Sequence, residues 1–62
     1  MNEHIGKKVV IHEPPGKFDK NDYRGKIGVI SFFSYGEYGV MCENKIIYCK
    51  LHNLEFIGDD NE

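Results

Sequence analysis

IGVISFFSYGEYGVMCENKIIYC, residues 27–49, is the stretch whose reading decides the fold. β-Branched and aromatic side chains dominate it, and no apolar spacing of three and four residues is sustained over two turns. That composition favours extended strands over helix. Ser34, Tyr35, Gly36 and Glu37 form a turn signal, with Gly36 suited to positive φ. Tyr38, Val40 and Cys42 then alternate with Gly39, Met41 and Glu43, and Asn44-Lys45 suits a tight hairpin before Ile46. Three consecutive antiparallel strands follow. Neighbouring side chains on a strand point to opposite faces, so adjacent Phe32 and Phe33 cannot both enter a core. The reading places Phe32 inside and Phe33 outside, near Tyr35.

Working outward, KKVVIHE at residues 7–13 is a further strand, stopped by Pro14 and Pro15. Residues 14–24 form a long polar loop holding Phe18 and Tyr23. A connection of that length in so small a domain is often functional. After residue 49, Leu51, His52 and Asn53 read as one short helical turn, and LEFI closes with a fifth short strand. Five strands and no extended helix predict an all-β domain, a small closed or nearly closed barrel that hides its strand edges. The expected core is Val9, Ile11, Ile27, Ile30, Phe32, Val40, Cys42, Ile47, Leu54 and Phe56.

The order of strand, long loop, central meander, single helical turn and final strand resembles an SH3-like barrel. RGKIGVI resembles the centre of a KOW-type motif, carried by Gly25, Lys26, Gly28 and Ile30. NLEFI, residues 53–57, is similar to the closing strand of small bacterial and phage-encoded SH3-like domains. The resemblance covers residues 5–57, leaving residues 1–4 as an N-terminal tail and residues 58–62 as an acidic C-terminal tail. It implies a five-stranded SH3-like barrel with a long first loop. The chain departs from ribosomal KOW proteins in lacking their strongly basic loops.

Sixty-two residues make one domain with a thin stability margin. No apolar run approaches the roughly 20 residues that span a bilayer, and no leader is evident, so the expected compartment is the cytoplasm. Cys42 and Cys49 flank the central hairpin. With Asn44 and Lys45 as its loop, Cys42 would face Ile47 and Val40 would face Cys49. That diagonal separation is too wide for a disulfide and leaves two buried free thiols. A zinc site from Cys42, Cys49 and His52 has one closely spaced pair, Cys49 and His52, but leaves Cys42 without a near companion. No carboxylate pair, nucleophile motif or phosphate loop stands out, and a barrel this small has no room for a substrate cavity. The expectation is a protein that is not an enzyme, with no cofactor, no metal and no small-molecule substrate.

Net charge is −2, yet residues 5–57 carry +2 and residues 7–26 carry +3. Phe18, Tyr23, Phe33, Tyr35 and Tyr48, flanked by Lys17, Lys20, Arg24 and Lys26, therefore form the expected binding face. Tyr, Phe and Arg are enriched where proteins dock, and a protein partner is the first expectation. The alternative is a single-stranded nucleic-acid adaptor stacking bases on the same rings. Phosphate neutralisation dominates such binding, and the negative total charge weighs against it. A phage-type modulator of a host enzyme, or a component of a nucleic-acid-handling complex, would fit this description. On this reading Tyr23→Ala combined with Phe33→Ala leaves the fold intact.

Overall fold

The computed structural model describes residues 3–16 and 21–58. Five antiparallel strands form one sheet: β1 (Lys8–Ile11), β2 (Ile27–Ser34), β3 (Glu37–Cys42), β4 (Lys45–Cys49) and β5 (Leu54–Phe56). One turn of 3-10 helix, Leu51–Asn53, precedes β5. The strand order is β4-β3-β2-β1-β5, and β4 does not pair with β5, so the sheet is not closed.

Local sequence explains the connections. Ser34 pairs with Glu37 across Tyr35 and Gly36, which have φ of 50° and 79°. Cys42 pairs with Lys45 across Glu43 and Asn44, with φ of 53° and 67°. Positive φ at both central residues twists a two-residue turn in step with its strands. The second turn lies one residue earlier than the sequence suggests. It moves the register so that Tyr38 faces Cys49 and Val40 faces Ile47. Asparagine tolerates the left-handed region better than lysine, which places Asn44 second in the turn and Lys45 on the strand. Both cysteines remain free, as expected, and both are buried. Burial pushes the Cys49 thiol up to about 12. Burial also raises the Cys42 thiol, with a smaller push from the Glu43 charge.

One face of the sheet carries the core. Val9, Ile11, Ile30, Val40 and Cys49 are essentially sealed, joined by Tyr23, Tyr38, Cys42 and Leu54, with Ile47 packed alongside. Each fully buried aliphatic side chain contributes about 1.5–3 kcal/mol. Three expected core residues differ. Ile27 is 58% exposed and Phe56 is exposed, while Phe32 is only half-buried. Ile27 pairs with Val10 on the face opposite the core. Tyr38 and Cys49, absent from the expected core, take up the space.

The reason for the Phe32 reversal is a β-bulge. Ile30 pairs with Val40, but Phe32 pairs with Gly39, leaving Ser31 without a partner on β3. The extra residue inverts the alternation beyond it. Phe32 turns to the outer face and lies against Gly39. Phe33 turns to the core side and lies tilted against Tyr38, at 4.7 Å between ring centres. His4 continues this end of the core, 4.8 Å from Phe56 and 5.8 Å from Tyr38, so it packs against the domain although the sequence places it in a tail.

Candidate binding faces

The six expected binding residues that lie within the described residues, Tyr23, Arg24, Lys26, Phe33, Tyr35 and Tyr48, do not form one face. Lys17, Phe18 and Lys20 lie outside the described residues. Tyr23 is 7% exposed and belongs to the core, which corrects its reading as a surface ring. The loop enters the fold through this residue. Tyr23 C=O accepts from the Lys26 amide at 3.0 Å, and the Gly25 amide donates to Ile11 C=O at 2.7 Å. Gly25 holds φ at 88° to make that turn.

Arg24 and Lys26 are both engaged by acids. Arg24 donates from Nε and Nη2 to the two oxygens of Asp22, at 2.9 and 2.7 Å. Its backbone N–H also reaches Asp22, at 3.0 Å. These bonds favour the ionised form and hold the Asp22 carboxyl at about 2. The same pairing raises Arg24. Lys26 is bonded to Glu43 at 3.0 Å, and its pKa is raised by that contact. Both groups are solvent-facing, where such pairs add little stability. The sign follows from the direction of the shift: what Asp22 contributes is complete above its ordinary value of 3.8 and disappears as pH falls through about 2. An NMR titration is expected to give an Asp22 midpoint near 2, returning toward 3.8 in Arg24→Ala. An unchanged midpoint in that variant would show that the guanidinium is not the cause.

Around this pair lies an open, polar depression of about 340 Å³, lined by Asn21, Asp22, Tyr23, Lys26, Glu43 and Lys45. It sits where β2 begins and the β3–β4 hairpin turns. Phe33, Tyr35 and Tyr48 lie toward the other end of the meander. Lys26 and Phe33 are separated by seven residues of extended chain, roughly 20 Å. Arg24 and Lys26 are therefore set apart from Phe33, Tyr35 and Tyr48.

Nor do the three rings converge. Tyr35 stands fully exposed at the tip of the first hairpin, and Phe33 covers Tyr38 on the core side. Tyr48 lies on the outer face, 55% exposed, edge-on to Phe32 at 5.9 Å. Between those two rings is Gly39, where an added Cβ would meet the Phe32 ring at 2.4 Å. The absent side chain lets the aromatic ring cover the backbone.

The outer face holds what the sequence reading missed. Ile46, Met41, Val29 and Lys8 form one continuous row across four strands, and Ile27 and Val10 sit beside it. Ile27, Val29 and Met41 are exposed, as is Tyr48 in the row of Phe32. The clue was Met41, which alternates against Val40 and Cys42 and so had to face outward with its neighbours. Among the described residues no cluster of His, Cys, Asp or Glu is placed to hold a metal ion. Among the described residues no helix is long and apolar enough to cross a membrane.

No family model, curated protein or solved structure matches the chain.

Proposed function

We propose that the protein is a non-catalytic, SH3-like module that binds another protein through the outer face of its β2–β3–β4 meander. The observation that carries this reading is the apolar row Val29, Met41 and Ile46, extended by Ile27 and Tyr48, on the side of the sheet away from the core. Contiguous apolar surface of this kind marks sites of association. Tyr48 and Phe32 add ring area that loses little conformational freedom on binding. The strand order β4-β3-β2-β1-β5 and the single 3-10 turn before β5 support the SH3-like assignment. Such a module would act inside a larger assembly, as a phage-type modulator of a host enzyme or within a nucleic-acid-handling complex.

Charge favours protein over nucleic acid. Arg24, Lys26 and Lys50 are each bonded to a carboxylate, so phosphate would have to displace an existing partner. The test is capture of partners by the wild type and by Val29→Thr with Met41→Gln, a pair of near-isosteric changes that leaves the core untouched. Partner retention is expected to fall by at least about tenfold, as for loss of an interface centre. Anisotropy with a labelled single-stranded RNA is expected to show no binding at about 0.1 M salt. Undiminished retention by the double variant, or tight salt-sensitive RNA binding, would reject the reading.

A further inference from the structure

The two edges of the sheet differ, and the difference points to a partner for one of them. Ile30 spends its N–H on Lys7 C=O and its C=O on the Gly6 amide, both on the β1 side. Hydrogen bonding alternates along an antiparallel strand, so Val29 turns toward β3 and pairs with Met41. Met41 is thereby turned away from β4. Its cross-strand neighbour Ile46, and Tyr48 two residues on, must direct their own N–H and C=O groups off the sheet. The bonded pairs within the hairpin are Cys42 with Lys45, Val40 with Ile47, and Tyr38 with Cys49. Among the described residues no backbone partner meets Ile46 or Tyr48 on the outward side.

This edge has none of the usual protections. β4 contains no proline and no bulge, and Lys45 at its start is its one charged residue. The opposite edge is different. β5 is three residues long with Glu55 at its centre, and the Leu54 amide is already given to Leu51 C=O.

We infer that β4 pairs antiparallel with β4 of a second copy, in the register that sets Ile46 opposite Tyr48 of the partner with Ile47 on the two-fold axis. That register joins the two donors and two acceptors of each edge into four backbone bonds. Its neighbours on either side are blocked. A shift toward the turn requires Asn44, which is held at φ 67°. A shift the other way requires the Lys50 amide, which donates to Glu13 Oε1 at 3.0 Å. Side chains agree with the backbone. Each Ile46 meets a tyrosine ring across the join, a favourable aromatic and β-branched pair. The rows also align: Val29, Met41 and Ile46 of one copy run into Tyr48, Gly39 and Phe32 of the other. An isologous contact of this kind closes at two copies. Pairing β4 with β5 would instead propagate, and the occupied Leu54 amide disfavours it. The dimer does not rest on the docking reading above, since the unpaired backbone of the strand edge carries it, and Ile46 and Tyr48 serve both.

Sedimentation tests it. The mass is expected to rise with concentration from 7.2 kDa and to level off at two copies. I46K/Y48K sets like charges opposite each other at both joins and is expected to remain at one copy. I46K/Y48E sets opposite charges there and is expected to restore association. Hydrogen exchange on the unaltered protein gives an arm that needs no substitution. The Ile46 and Tyr48 amides are expected to exchange at least about tenfold more slowly at high than at low concentration. The inference is overturned by one copy at every concentration, by growth past two copies, by equal association of the two double variants, or by concentration-independent exchange at these amides.

Discussion

Tyr23→Ala is expected to destabilise the protein by about 3 kcal/mol, the usual scale for removing a buried aromatic ring. For a domain this small that corresponds to a fall of about 15 °C in melting temperature. Total stability for 62 residues is about 3–9 kcal/mol, so the variant lies close to unfolding. Tyr48→Ala should lower the melting temperature by only a few degrees, because that ring is already half in water. The contrast matters since the two tyrosines look equivalent in the sequence. Tyr23 sits where the long loop rejoins the sheet, beside amide contacts from Lys26 and Gly25. Losing it removes core volume and the anchor of the returning loop together. Thermal melts of the two variants decide the matter. Equal melting of Tyr23→Ala and wild type would show that the ring is not part of the core.

The second large effect is expected at Gly28. A Cβ at this position would lie 2.5 Å from Val40 Cγ1 and 2.8 Å from the Met41 carbonyl oxygen. Val40 is fully buried and the carbonyl belongs to the main chain, so neither has room to yield. Gly28→Ala is expected to cost about 3 kcal/mol, at the upper end for overpacking. Gly39→Ala is the control. Its added Cβ also meets a close neighbour, but that neighbour is the end of the half-buried Phe32 ring. The ring can swing toward solvent, and the expected cost is about 1 kcal/mol. Denaturant titration of the two variants measures the difference directly. If Gly39→Ala proves the more damaging, the approach of β2 and β3 at Gly28 is looser than described.

Much of the architecture is legible in residue order. The five strands, the helical turn at Leu51 and the free thiols follow from β-branched density, turn residues and spacing. The faces are harder to read. Alternation assigns Ile30 inward and extends that assignment to Phe32, but the bulge at Ser31 breaks the count. No feature of the serine itself announces it. The Tyr23 error has a different origin. A tyrosine in a polar loop reads as surface because loops lie on surfaces, yet a small sheet must recruit loop rings to complete its core. The charges of Arg24 and Lys26 were visible, but not their pairing with Asp22 and Glu43, which only the fold or the turn geometry brings into range.

One residue on β2 therefore works like a frame marker. Upstream of Ser31 odd and even positions carry one meaning, and downstream they exchange it. Deleting Ser31 would close the bulge and leave Phe32 over Gly39 and Phe33 on Tyr38, because the β2–β3 turn fixes their partners. The switch of sides belongs to the count of residues on β2 and not to their identity.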